Sequence, residues 1–270
     1  TVEAYRKFRN VIRVLVANLY DFDPAADAVP ADRMQEIDRW VLAKYADCAD
    51  RIVAAYEDYD YPAIFQAANT FITVDLSAFY VDVTKDRMYT FGAKSEARRS
   101  GQTAMFTMVD GLARLLAPIL SVTMDELWRA LPGERLPSVH MALFPMGEEL
   151  QPWRDAALLE RWSRLGAVRD EVNLALEQKR QEQAIKANLS AQVRIEASGE
   201  EADLLKAHAD FLPTLFGVSH VVLVAADERA ADGQPRRVSV TRADGVKCDR
   251  CWRFVPVVSA EETTRGLCPR

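Results

Sequence analysis

The sequence YRKFRNVIRVLVANLYDFDP, residues 5–24, indicates a helical fold. Its large apolar side chains recur at steps of three and four residues, the spacing that puts them on one face of an α-helix. These residues are Tyr5, Phe8, Ile12, Leu15 and Leu19. Residues 1–20 also carry a net charge of +3, and Pro24 ends the pattern. The stretch therefore predicts an amphipathic helix with a basic side.

Five more helices are predicted by the same periodicity along the first two-thirds of the chain. Their approximate ranges are 32–56, 62–89, 95–116, 123–131 and 153–186. Pro62 suits the start of a helix, because the first turn does not need the N–H that proline lacks. Thr123 is placed to cap the short fifth helix with its hydroxyl. We therefore predict a helical bundle over residues 1–189.

The periodicity changes after residue 189. Three segments alternate apolar and polar residues as strands do, and a helical pattern at residues 201–216 separates the first two. The strand-like segments are QVRIEA (192–197), HVVLVA (220–225) and RRVSVTRA (236–243). The stretch AADERAADGQP, residues 225–235, predicts a loop. We therefore predict a small α/β junction module over residues 190–245.

Three cysteines, Cys248, Cys251 and Cys268, lie in the last segment, residues 246–270. Their spacing matches the first three ligands of the pattern C-x₂-C-x₁₅₋₂₀-C-x₂-C, in which four thiolates bind one Zn²⁺ ion. We expect a structural zinc knuckle whose fourth ligand lies beyond residue 270, in a longer protein. The alternative is a surface loop with incidental thiols. With the knuckle, the predicted fold class is mainly α: a helical bundle, then a small α/β module and a C-terminal zinc knuckle.

The residues around the paired cysteines suit contact with nucleic acid. Arg250 lies between the cysteines and Trp252 follows them; an indole can stack on an unpaired base, and arginine can stack or donate to base edges. Trp252 could equally form the small core of the knuckle. Four basic residues precede the cysteines and either follow a phosphate backbone or form a solvated strand face. They are Arg236, Arg237, Arg242 and Lys247.

Composition excludes several classes of function. The net charge is −6, but residues 234–270 carry +4, so an acidic body has basic ends. This distribution favours a specific polyanion partner over duplex DNA. No apolar run approaches a membrane span, no phosphate-binding loop is present, and His140, His208 and His220 lie in no catalytic motif. Clustered thiols suit a reducing cytoplasm. We therefore expect a cytoplasmic chain with no catalytic residues of its own.

Four stretches of the sequence resemble one family. They are YRKFRNVIRVLVANLYDFDP (5–24), VDLSAFYVDVTKDRMYT (74–90), LLAPILSVTMDELW (115–128) and KCDRCW (247–252) with LCPR downstream. The chain is similar to the C-terminal region of bacterial-type isoleucyl-tRNA synthetases. The long stretches are shared with the valyl and leucyl enzymes of class I, whereas the cysteine segment is typical of the isoleucyl enzymes.

The resemblance implies a class I anticodon-binding bundle and a four-cysteine zinc site that includes Cys248, Cys251 and Cys268. It implies a monomer that binds the anticodon stem-loop of tRNA, with no membrane or duplex DNA as partner. The tRNA contacts it implies are Arg250, Trp252, Arg6, Lys7, Arg9 and Asn10. The full-length enzymes of this family attach isoleucine to tRNA with ATP, but their HIGH and KMSKS motifs are absent from this sequence.

Three alternatives remain at this point. The chain could be the equivalent region of a valyl- or leucyl-type synthetase. It could be a non-catalytic helical domain that binds another protein and carries a structural zinc cap. It could also be a DNA-binding zinc module, which the acidic body disfavours.

Overall fold

A computed structural model describes residues 2–225 and 236–269 of the chain. The chain divides into two compact units, Thr1–Glu160 and Arg161–Arg270. Helices dominate the described residues, and the few strands belong to the second unit. The prediction of a mainly α fold with a small α/β part is confirmed. The predicted three-part division at residues 189 and 245 stays a prediction, and most of the predicted loop at 225–235 lies outside the described residues.

Six α-helices lie among the described residues of the first unit, and a seventh begins near its end. They are α1 (Val2–Ala17), α2 (Glu36–Glu57), α3 (Tyr61–Thr70), α4 (Asp82–Thr90), α5 (Glu96–Leu116), α6 (Ser121–Ala130) and α7 (Ala156–Gln181). A π-helical segment, Phe71–Val81, joins α3 to α4. Short 3₁₀ turns occur at Ala31–Arg33, Val139–Met141, Gly147–Glu149 and Gln151–Trp153. None of the described helices has both the length and the hydrophobicity that crossing a bilayer requires.

Side-chain caps fix several helix starts. The Asp60 carboxylate accepts a hydrogen bond from the Ala63 N–H over 3.0 Å, next to Pro62. Ser95 caps α5 in the same way. The predicted cap at Thr123 is wrong, because α6 begins two residues earlier, at Ser121. The Thr123 hydroxyl instead lies 3.0 Å from the Tyr5 hydroxyl of α1.

A buried polar network ties α2 to α4 and α5 in the first unit. The Asp38 side chain is fully buried and accepts hydrogen bonds from Arg87 Nη1 at 2.9 Å and from the Tyr80 hydroxyl at 2.7 Å. The Ser100 hydroxyl donates to the same carboxylate. Burial alone would lower the pKa of Arg87, but the Asp38 carboxylate raises it above its usual value. Arg87 therefore stays charged inside the bundle.

The second unit holds a three-stranded sheet. Its strands are β1 (Ala191–Ala197), β2 (His220–Ala225) and β3 (Arg236–Arg242), in the order β2-β1-β3. The central strand β1 is parallel to β2 and antiparallel to β3. A 3₁₀ turn at Asn188–Ser190 precedes β1. Helices α8 (Gly199–Ala207) and α9 (Leu212–Leu215) lie between β1 and β2 in the chain. The three predicted strands are confirmed.

A two-stranded hairpin follows the sheet. It pairs β4 (Val246–Lys247) with β5 (Phe254–Val255) in antiparallel fashion. The paired cysteines lie in the connection between these two strands, and Cys268 lies in the segment that follows them. The hairpin and the segment that follows it together carry the three clustered cysteines.

Candidate metal centre and nucleic-acid interface

The cysteine hairpin is closed by its own backbone hydrogen bonds. The Cys248 N–H donates to the Arg253 carbonyl over 2.9 Å, and the Trp252 N–H donates to the Cys248 carbonyl over 2.9 Å. A third bond, from the Asp249 N–H to the Gly266 carbonyl over 3.1 Å, brings the returning segment against this turn. Gly266 has a φ of +78°, a conformation that glycine adopts without strain. These bonds place Cys268 beside the paired cysteines.

The three sulfur atoms are gathered at the distances that a metal ion requires. The Sγ atoms of Cys248, Cys251 and Cys268 lie within 4.8 Å of one another, and those of Cys251 and Cys268 are 3.7 Å apart. Zn–S bonds of about 2.3 Å in a tetrahedron put two sulfurs about 3.8 Å apart. A disulfide would need a sulfur separation of about 2.05 Å. The three thiols are therefore close enough together to hold one metal ion.

The hydrogen bonds around Cys248 favour its thiolate. Burial would raise the pKa of this thiol, but N–H groups of Cys251, Cys268 and Arg250 lower it to about 6. The Cys268 N–H itself lies 3.3 Å from the Cys248 sulfur. Burial and the two neighbouring thiols raise the pKa of Cys251 to about 11. The centre thus holds one thiolate readily, and a second one needs a cation to balance it.

The knuckle is fixed to the α/β part of the same unit. The Phe254 N–H donates to the Ser219 hydroxyl over 2.7 Å, and the Ser219 N–H donates to the Ala191 carbonyl at the start of β1. The Arg253 guanidinium donates to the Thr214 hydroxyl of α9 over 3.0 Å. These hydrogen bonds therefore hold the hairpin against α9 and against the residue that precedes β2.

Trp252 lies on the surface of the knuckle. Its side chain is 60% exposed, so it does not form the core of the hairpin, and that alternative is wrong. Its φ of +64° is unusual for a bulky residue and costs about 1–2 kcal/mol. The hydrogen bonds of the cysteine turn impose this conformation on the chain. The Lys247 ammonium lies 5.1 Å from the centroid of the indole.

The basic residues near the knuckle differ in how exposed their side chains are. Arg250 is exposed and forms no ion pair within residues 2–225 and 236–269. Arg237 and Arg242 are exposed as well. Arg236 fits neither predicted role, because its side chain is only 10% exposed and pairs with Glu171 and Glu201. Its charge is neutralised inside the second unit.

The predicted tRNA contacts on α1 are all exposed. They are Arg6, Lys7, Arg9 and Asn10. Lys7 forms a loose ion pair with Glu3, 3.9 Å away. Arg13, which was not predicted as a contact, is exposed on the same helix and is displaced from Arg6 by seven residues, or two turns. That spacing was the signal by which the sequence could have identified it.

No second metal cluster occurs among the residues that the structure describes. The one group of three or more candidate ligands consists of the three clustered cysteines, and neither His208 nor His220 joins it. Cys48 is buried in the first unit, and burial raises its pKa to about 12. The described residues therefore offer one candidate metal centre.

Comparison with known proteins finds one family model and many relatives that match the chain. The family model of the anticodon-binding domain of tRNA ligase matches residues 38–195, more than half of the chain. Isoleucine–tRNA ligases of Syntrophotalea carbinolica and Geobacter sulfurreducens are 44% and 42% identical over 99% of the chain. That of Carboxydothermus hydrogenoformans is 42% identical over 100% of it. In each case the chain spans about 29% of the length of the relative.

Proposed function

Because the chain belongs to the family of anticodon-binding domains of tRNA ligases, we propose that it recognises the anticodon stem-loop of an isoleucine tRNA. The whole protein is then an isoleucine–tRNA ligase, which joins isoleucine to its tRNA with ATP. The names and identities of the relatives support this assignment. The chain contributes tRNA recognition, and ATP and amino-acid chemistry belong to the remaining length of such a protein.

A Zn²⁺ ion held by Cys248, Cys251 and Cys268 is part of the proposal. Sulfur ligands at these separations fit zinc, and a fourth ligand would complete the tetrahedron. The ion would supply cross-linking energy to a hairpin with two-residue strands and little core of its own. It has no role in a chemical step here.

The exposed face of the knuckle is the proposed reader of the anticodon loop. Trp252 offers its indole for stacking on an unpaired base, and Arg250 offers guanidinium donors for base edges or phosphates. The proposal rests on one observation: Arg250 and Trp252 are both exposed, and they lie on the turn that carries the clustered cysteines. Both residues are held by the backbone bonds of the cysteine turn, so little ordering is required on binding.

The basic side of α1 is a second proposed contact. Arg6, Arg9 and Asn10 would meet phosphate oxygens, which fix orientation without reading sequence. Lys7 would contribute less, because Glu3 already lies near it. We also propose that the protein works as a cytoplasmic monomer, in which a reducing environment keeps the clustered thiols available for the metal.

Binding of purified tRNAs to the zinc-loaded chain tests the proposed function. Fluorescence anisotropy at several salt concentrations should show binding of isoleucine tRNA that is tighter than that of valine tRNA or a DNA duplex. Affinity should fall with rising salt, because phosphate contacts release counterions. Equal affinity for the isoleucine and valine tRNAs would refute the specificity. Absence of any tRNA binding would refute the function and favour a protein-binding domain with a zinc cap.

A further inference from the structure

A cavity with an aromatic rim opens in the first unit, where the end of α1 meets the end of α4. Its volume is about 330 Å³, within the range of small-ligand sites. Three aromatic residues line it and remain exposed: Tyr20 at 80%, Tyr89 at 67% and Phe91 at 36%. Exposed aromatic rings grouped around one cavity mark a candidate binding site. None of these three residues was predicted as a contact.

One guanidinium holds the walls of this cavity together. Arg98, on α5, donates to both carboxylate oxygens of Asp21, at 2.7 and 2.9 Å. It also donates to the backbone carbonyls of Met88 and Ala93, which lie on either side of Tyr89 and Phe91 in the chain. The two segments that carry the aromatic rings are therefore fixed to one buried side chain. The cavity is organised before any ligand arrives.

The exposed charge next to the cavity lining is positive, which suits a flat ring joined to a phosphate. The Arg98 guanidinium lies 5.7 Å from the centroid of Tyr20, within the range of a cation–π contact. Asp21 does not add a free negative charge, because Arg98 and Arg99 pair with it. Lys94, next to Ala93 in the chain, is exposed and has no ion-pair partner in the described part of the chain.

The basic side of α1 leads to the same cavity. Arg6, Asn10, Arg13 and Ala17 follow one another at steps of four, three and four residues, so they lie along one face of the helix. Ala17 lines the cavity. From Arg6 to Ala17 the helix rises about 16 Å. A strand of nucleic acid following this face would therefore bring its next base to the aromatic rim.

We propose that this cavity binds one unpaired base of the tRNA, stacked against Tyr20 and Tyr89, with Lys94 and the α1 face along the adjoining phosphates. The inference rests on the proposed function, since tRNA is its ligand, and it assigns a base-binding site separate from Trp252. Arg98 acts as a positioning residue, because its donors are engaged with the protein. An aromatic stack of this kind typically changes RNA affinity about tenfold.

The test uses isoleucine tRNA with 2-aminopurine at one anticodon-loop position at a time, bound to the zinc-loaded chain. This base loses fluorescence when it stacks on an aromatic ring. We expect quenching at a position whose signal recovers in Tyr89→Ala and in Tyr20→Ala, with affinity about tenfold lower. Tyr89→Phe should keep both the quenching and the affinity, since its ring is retained. Tyr61→Ala is the matched control, because Tyr61 is exposed in the same unit and does not line the cavity.

The outcomes separate this inference from the proposed function. If wild-type chain binds the tRNA and Trp252→Ala weakens binding, but Tyr20→Ala and Tyr89→Ala change neither affinity nor fluorescence, the cavity is not a base site. That result would leave anticodon recognition by the knuckle intact. If wild-type chain binds no tRNA, both proposals are overturned. Thermal melting of each variant should match wild type, because Tyr20 and Tyr89 are exposed.

Discussion

The Lys247 ammonium lies 5.1 Å from the centre of the Trp252 ring, on a turn whose backbone holds Trp252 at a φ of +64°. A cation at this distance is attracted by the ring face. Lys247 and the backbone of the cysteine turn therefore both restrict the orientation of the indole. Trp252 is still 60% exposed. A partner meets a side chain that is already positioned.

The first prediction concerns this indole. We expect Trp252→Ala to lower affinity for isoleucine tRNA about tenfold, the typical loss of one stacked base. Zinc content should stay unchanged, because the backbone bonds that gather the cysteines do not use the indole. Anisotropy titration and atomic absorption measure the two quantities. Val257→Ala, an exposed residue in the same segment, serves as the control and should leave both unchanged. Unaltered affinity in Trp252→Ala with zinc retained would contradict the stacking role.

The second prediction concerns the metal centre. Cys251→Ser replaces a thiolate by a poor zinc ligand, so we expect zinc retained after gel filtration to drop from about one ion per chain to near none. Affinity for tRNA should fall as well, because the turn that presents Trp252 loses its cross-link. Cys48→Ser is the matched control for zinc content, since Cys48 is buried in the first unit and lies outside the cluster. Full zinc retention by Cys251→Ser would show that the three sulfurs do not hold the ion.

The third prediction concerns the buried pair of the first unit. Arg87→Ala leaves the fully buried Asp38 carboxylate without its cation, so we expect a loss of about 3–5 kcal/mol in the free energy of unfolding. Urea denaturation followed by circular dichroism measures this loss. Lys85→Ala removes an exposed ion pair with Asp82 on the same helix and should cost at most about 1 kcal/mol. Similar losses in the two variants would mean that the buried pair contributes no more than a surface pair.

The sequence predicted the helical fold well because apolar spacing is set by local geometry. Phe8, Ile12 and Leu15 fall at helical spacing and are all buried. The π-helical segment Phe71–Val81 was predicted as ordinary helix, because apolar spacing over one or two turns does not separate the two forms. The start of α6 was misplaced for a related reason, since a cap depends on backbone angles that composition does not fix.

Neither the buried polar network around Asp38 nor the aromatic cavity was predicted, although the position of Asp38 in the sequence is a signal for the network. Asp38 lies three residues before Val41 and seven before Tyr45, on the buried side of α2, where a solvated carboxylate would not be expected. The cavity left none, because Tyr20, Tyr89 and Arg98 belong to separate segments that only the folded bundle brings together. The cysteine cluster was predictable because its spacing is itself the metal-binding pattern.

The fourth prediction concerns the effect of pH on the ion pair of Arg98 and Asp21, which fixes the walls of the cavity. The hydrogen bond from Arg98 holds the pKa of Asp21 below its ordinary 3.8, against the opposing effect of burial. A carboxyl with a depressed pKa in the folded state stabilises the fold above its unfolded pKa, and this contribution is lost as pH falls through the folded value. We therefore expect the free energy of unfolding to fall below about pH 4, and Asp21→Asn to weaken that fall. Urea titrations at several acidic pH values measure both slopes, with Asp82→Asn as the exposed control. Parallel pH slopes for wild type and Asp21→Asn would show that this ion pair does not stabilise the fold.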